Sequence, residues 1–196
     1  MVINKDTALV DNDFLEHVVE INQSQEEKAE MLRRAFYSMS VSAAMHPLVF
    51  EKELVQAYNR LFFFDSGVIT KLVFSDCFEE DSAKETYYCW LVPELYKKFM
   101  GKELGAVNKD VLTYWVRKES LGEVHSMATC LVCGCGMFLS DDRGSKVLKG
   151  IIEREFAETI RVYNRKDFVD QMPEGTFKRA ERKRFAHPVR DVPFTD

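Results

Sequence analysis

Short uninterrupted apolar runs, each closed by an acid and followed by a helical pattern, constrain this chain more than any other feature. Thr7-Ala8-Leu9-Val10 ends at Asp11, and Gly136-Met137-Phe138-Leu139-Ser140 ends at Asp141. A strand that is apolar on both faces must be covered on both, which is the condition of a parallel strand lying between layers of helix. Gly67 to Phe74 and Thr159 to Tyr163 read as further strands. Between them lie amphipathic patterns. Asp11-Asn12-Asp13 offers an N-cap to a helix whose apolar side is Phe14, Leu15, Val18 and Val19. Residues 24–37 form a second helix, with Met31, Leu32, Ala35 and Phe36 opposite a charged face. Pro47 opens a third that runs through Leu54 and Leu61 to Phe62-Phe63-Phe64. Helices are also expected at 82–100, 108–118, 120–133, 144–157 and 166–171, with Glu79-Glu80-Asp81 in a loop or helix start. Strands alternating with helices predict an α/β fold with a mostly parallel central sheet flanked by helices, three layers deep.

The 196 residues suffice for one domain with a substantial core, and 46% hydrophobic with 30% charged residues is ordinary for a globular chain. The opening Met1 to Asp6 has no apolar run, so no signal peptide is expected. The longest nearly apolar stretch, 126–139, is too short to span a bilayer. The expected location is therefore cytoplasmic, with no membrane partner. Five cysteines at irregular spacing do not form a disulfide framework. Cys130-x-x-Cys133-x-Cys135 lacks a second pair and sits among core-type residues, so packing is the expected role. Charge is uneven. Residues 176–196 carry Lys178, Arg179, Arg182, Lys183, Arg184 and Arg190 against Glu181, Asp191 and Asp196, while residues 1–175 are net acidic. The chain thus divides into a domain of 1–175 and a basic C-terminal tail of 176–196, which suits a polyanion partner or simply a solvated terminal helix.

Four acidic segments sit where strand ends or helix starts reach one sheet edge: Asp11-Asn12-Asp13, Glu51-Lys52-Glu53, Ser120 to Glu123, and Ser140-Asp141-Asp142. Ligands of open parallel sheets lie beyond the carboxyl ends of the strands. Carboxylates gathered there without Cys or His suit a hard divalent ion, Mg²⁺ or Mn²⁺, and such ions serve phosphate chemistry. Each segment also has a local use. Ser120-x-x-Glu123 has the form of a capping box, Asp11 and the pair Asp141/Asp142 stand where helix caps belong, and Glu51 and Glu53 fit a wet helix face.

The four segments, in this order, resemble the PIN-domain nucleases. The likeness rests on Leu9-Val10-Asp11-Asn12-Asp13, on His46-Pro47-Leu48-Val49-Phe50-Glu51-Lys52-Glu53-Leu54, on Leu121 to Ala128, and on Phe138 to Arg143, and it spans residues 7–150. The resemblance implies a PIN-like three-layer fold and hydrolysis of phosphodiesters in single-stranded RNA, leaving 5′-phosphate and 3′-hydroxyl ends. It implies Asp11, Glu53, Glu123 and Asp142 as the catalytic, metal-binding acids, with Asp13 and Asp141 as supporting or alternate ligands. Ser140 would orient a carboxylate or the attacking water, and Arg143 would touch phosphate or pair with an acid. Spacing alone leaves Glu51 against Glu53 and Asp141 against Asp142 open. Glu53 is preferred because Leu54 follows it, as in the family pattern. RNA is the implied partner, and the family leaves room for an inhibitory protein and for a homodimer. The chain is longer than compact toxin-type members, mainly in 65–118 and after 155.

Two other readings compete. Strand-Asp11-x-Asp13 with Asp141-Asp142 also resembles haloacid-dehalogenase-like phosphatases, in which Asp11 would attack phosphate. That leaves Glu53 and Glu123 without roles, and Phe14-Leu15 replace the small residues that normally follow. A non-catalytic PIN-like module binding RNA or protein through its basic tail is the third.

Overall fold

The computed structural model describes residues 3–54, 58–73, 77–78, 82–105 and 120–187. Its centre is one sheet of β1 (Thr7–Val10), β2 (Ser42–Met45), β3 (Ile69–Lys71), β4 (Met137–Leu139) and β5 (Val162–Tyr163). The spatial order is β3-β2-β1-β4-β5 and every adjacent pair is parallel. Helices cover both faces, so the expected three-layer α/β architecture holds.

Period-two alternation in the strands divides the interior into two cores. Leu9, Ala44, Phe138 and Val162 point to one face. Ala8, Val10, Ala43, Met45, Met137 and Leu139 point to the other. The first face is covered by α5 (Ser82–Met100), α6 (Leu121–Cys133) and α7 (Arg143–Glu155). The second is covered by α1 (Asn12–Val19), α2 (Gln25–Ser38), α3 (Pro47–Val49), α4 (Phe62–Asp65), α8 (Arg165–Gln171) and α9 (Arg179–Ala186). From β1 the chain steps to β2 and β3 with helices on one face, then crosses to β4 and β5 with helices on the other. Crossovers of one hand running in opposite directions require that division of faces. The strand order reverses between β1 and β4, and the carboxyl ends of such a pair are where open parallel sheets place ligands in a crevice.

Several boundaries differ from expectation. β2 was not expected at all. The strand read over 67–74 shortens to Ile69–Lys71 and that over 159–163 to Val162–Tyr163. The single helix expected from Pro47 to Phe64 is broken. α3 passes into a π turn over Phe50–Leu54, and a 3₁₀ turn over Tyr58–Arg60 precedes α4. The helix expected at 108–118 and the acids Glu79-Glu80-Asp81 lie outside the described residues. Residues 179–186 of the basic segment form α9, and its Phe185 is fully buried beside Phe14 and Phe177. No helix among the described residues is long and apolar enough to cross a membrane.

Candidate functional site

Backbone pairing carries the first acids into place. The Asp11 N–H donates to Leu139 O at 2.9 Å, so β1 and β4 end side by side, and the Ser140 N–H donates to Tyr163 O of β5 at 3.1 Å. The hydroxyl of Ser140 then lies 3.2 Å from Asp11 Oδ2 and 3.2 Å from Asp13 Oδ1. Asp11 is 7% exposed and also accepts from the Asn12 N–H at 2.9 Å, so it caps α1 while facing the crevice.

The second pair arrives from helix starts. Ser120 adopts φ 56°, ψ 17° and makes no side-chain cap, so the capping box suggested by Ser120-x-x-Glu123 does not form. Glu123 turns inward and is hydrogen-bonded by Ser145 in the first turn of α7. Glu53 belongs to the π turn after α3, and its carboxylate rests over Gly122. A Cβ there would fall onto Glu53 Oε1 and within 2.9 Å of Val49 Cγ2. Gly144 similarly gives room to Glu123, whose Oε2 lies 3.1 Å from where a Cβ would stand. The two elements are locked together from behind. The Leu48 N–H donates to His46 Nδ1 (3.1 Å), which leaves His46 Nε2 as the protonated nitrogen facing Tyr88 Oη at 3.3 Å. The Tyr88 hydroxyl can then donate to His125 Nδ1 at 2.5 Å. Burial drives both imidazoles well below the usual histidine range, His125 to about 3.

Crowding shows in the acidities. Burial first, then the charges of Asp13, Glu53 and Glu123, raise Asp11 well above the usual carboxylate range. Asp13 is pushed to about 6 by burial and by Asp141. Glu53 reaches about 7 through burial and the charge of Asp13. Glu123 also reaches about 7, through burial and the charges of Asp142, Asp13 and Glu53, against the Ser145 hydrogen bond. The main counterweights are hydrogen-bond donors: the backbone N–H groups of Asn12, Phe14 and Asp141, and the hydroxyls of Ser140 and Ser145. The hydroxyls link the acids: Ser145 donates to Glu123 or, across 2.9 Å, to Ser140 Oγ, and Ser140 donates to Asp11 or Asp13 while accepting from the Asp142 N–H.

The remaining acids are placed differently. Asp141 is held by Arg165, whose backbone N–H donates to Oδ1 at 2.9 Å and whose Nε donates to Oδ2. His17 Nδ1 lies 3.2 Å from that same Oδ2. Asp142 is exposed at the mouth, capping α7 through the Gly144 N–H at 2.8 Å, with its charge felt by Glu123. Glu51 is ion-paired with Lys71, away from the cluster that Glu53 joins. Arg143 stands exposed at the start of α7. Ser145 joins the site although no sequence motif marks it. Its only signal is a hydroxyl three positions after a capping acid, which the helix's first turn brings back over the same edge.

Among the described residues no three acids, imidazoles or thiols stand together closely enough to hold an ion as arranged. The acids gathered here offer oxygen donors alone, the chemistry a hard divalent cation prefers, and Asp13, Glu53 and Glu123 all raise the proton affinity of Asp11. The cysteines, by contrast, form no disulfide and pack with the first core, and burial raises Cys133 to about 12, which suits neither nucleophile nor ligand. Comparison with family models, with curated proteins and with solved structures finds no match for this chain.

Proposed function

We propose that the chain is a PIN-like, Mg²⁺- or Mn²⁺-dependent ribonuclease acting on single-stranded RNA. The observation that carries this reading is the gathering of Asp11, Asp13, Glu53 and Glu123 at one sheet edge, where Asp13, Glu53 and Glu123 all raise the proton affinity of Asp11. A fold holds four desolvated carboxylates together at a cost in stability, and such costs concentrate at functional sites. Asp11, Glu53 and Glu123, with Asp142 at the mouth, would hold the ion. Bound there, a divalent ion supplies a more acidic water and offsets the charge of the scissile phosphate.

The chain's own residues do the rest. Ser140 orients Asp11 and Asp13 by its single proton. Ser145 holds Glu123 and links it to Ser140, giving a path along which a proton can move between Glu123 and Asp11. Asp141 carries no reacting role in this scheme. Through Arg165, whose Nη1 donates to Phe185 O at 3.2 Å, it ties the site loop to the end of α9. The cationic face of α9 would accept the outgoing RNA strand, and five cysteines outside any disulfide suit work in the reducing cytoplasm.

The deciding experiment incubates the protein with labelled single-stranded RNA and Mg²⁺ or Mn²⁺, alongside Asp11→Asn. Cleavage leaving 5′-phosphate ends, abolished by EDTA and by the substitution, is the expected result. An intact RNA pool with every metal tried, or an acyl-phosphate trapped on Asp11 from a phosphomonoester, would defeat the reading.

A further inference from the structure

An acid-lined site repels the phosphates of its own substrate, so contacts around it that do not depend on charge add to whatever affinity the cations of α9 supply. The 3₁₀ turn Tyr58–Arg60 is placed to make one. Its Arg60 is fastened to the start of α1: Nη1 donates to Asn12 Oδ1 at 2.7 Å and Nη2 lies 3.2 Å from Glu16 Oε2. Asn12 directly follows Asp11, and its N–H is donated to the Asp11 carboxylate. The Arg60 side chain is only 11% exposed, so the turn is pinned rather than loosely draped. Tyr58, two residues before it, is 80% exposed. A turn fastened to the residue that follows Asp11 thus presents an exposed aromatic ring.

We propose that the Tyr58 ring is a stacking platform for one base of the single strand whose phosphodiester lies over the acid cluster. The inference rests on the nuclease reading and adds to it the residue that supplies sequence-tolerant grip. Every base offers a π face, and stacking is indifferent to the negative charge that makes the site repulsive. Arg60 acts as a positioning residue, holding the turn against α1.

The structure supplies its own control. Tyr37 is 86% exposed, at the end of α2. It lines a groove of about 240 Å³ with Val41, Ser42 and Gly67, at the amino-terminal edge of the sheet, opposite the acids. The test compares wild type, Tyr58→Ala, Tyr58→Trp and Tyr37→Ala on short oligoadenylate and oligouridylate with Mn²⁺. It reads KM and kcat separately, and reads Kd by fluorescence anisotropy in an Asp11→Asn background. Tyr58→Ala should raise KM and Kd roughly 5- to 100-fold, more for adenylate than for uridylate, with kcat held. Tyr58→Trp should restore binding, and Tyr37→Ala should behave as wild type. Unchanged KM and Kd in Tyr58→Ala, in a chain that does cleave RNA, overturns the platform and leaves the nuclease reading standing. So does an equal loss in Tyr37→Ala. If wild type cuts no RNA at all, the nuclease reading fails first and the platform with it.

Discussion

Gly122 decides which acid of the Glu51-Lys52-Glu53 segment can serve the site. Without a side chain there, the Glu53 carboxylate lies directly over the first turn of α6, while Glu51 is taken by Lys71. Gly122→Ala would favour the helix intrinsically by about 0.8–1 kcal/mol. Its Cβ would nevertheless displace Glu53, since it lands on Oε1 and 2.9 Å from Val49 Cγ2. The expected outcome is a fall in RNA cleavage of roughly 10²-fold, the cost of moving a reacting group by about 1 Å, with a thermal melt close to wild type. Glu53→Gln should lose cleavage and Glu51→Gln should keep it. The reverse pattern would place the wrong glutamate in the site. Asp11→Asn carries a further expectation at this scale. It removes a buried charge that three neighbouring acids repel, yet its Oδ1 can still accept from the Asn12 N–H. The inactive variant should therefore melt higher than wild type in metal-free buffer at pH 8, as substitutions that relieve a strained site do. A lower melt would assign Asp11 a structural role instead.

At the scale of elements, what could be read from the sequence followed from how strongly each segment's pattern depends on local chemistry. β1 and β4 are legible because both alternating faces are apolar, and α2 because Met31, Leu32, Ala35 and Phe36 share one face; its Ser24–Glu27 capping box is a local signal the pattern alone does not use. β2 was invisible: Ser42-Ala43-Ala44-Met45 has little β-propensity, and only its burial between β1 and β3 makes small residues suitable there. The break of the helix after Pro47 was likewise hidden, because a π turn keeps a helical hydrophobic pattern while redirecting Glu53. Phe185 altered the meaning of the basic segment. Charge alone suggests a basic tail or a solvated terminal helix; a helix forms there, one aromatic docks it into the core and Arg34 Nη2 binds Glu181 at 2.8 Å. Truncating residues 176–196 would therefore damage the fold as well as remove charge. Lys183 and Arg184 are exposed and make no ion pair among the described residues. Lys183→Ala/Arg184→Ala should leave the melt unchanged, weaken RNA binding, and reduce the slope of log K against log salt by about 1.4 if both contact phosphates. An unaltered slope would remove α9 from the RNA path.

Across the whole molecule, the crowded acids set how stability answers to pH and to metal. Asp13, Glu53 and Glu123 titrate at about 6 to about 7 in the folded chain, and Asp11 is raised well above the usual range. Unfolded carboxyls titrate near pH 4. Between those limits the folded state binds more protons, so the stability these groups confer is complete below about pH 4 and lost as pH rises through about 7. His46 and His125 act oppositely, because burial keeps them neutral in the fold while the unfolded chain protonates them below about 6.5. The two effects separate by range. From pH 8.5 down to about 6.5 the imidazoles contribute little, and the metal-free Tm should rise. Each kcal/mol gained moves it about 2–4 °C in a chain of this size. Below about 6.5 the buried histidines should flatten the gain. A divalent ion competes for the same carboxylates that protons occupy, so saturating Mn²⁺ should raise Tm most near pH 8 and progressively less toward pH 6. Differential scanning fluorimetry across that range, with and without Mn²⁺, measures both trends without any appeal to activity. A metal-free Tm that climbs with pH, or a Mn²⁺ increment that does not shrink on acidification, would mean that the four acids do not share the crevice as an ion-binding group.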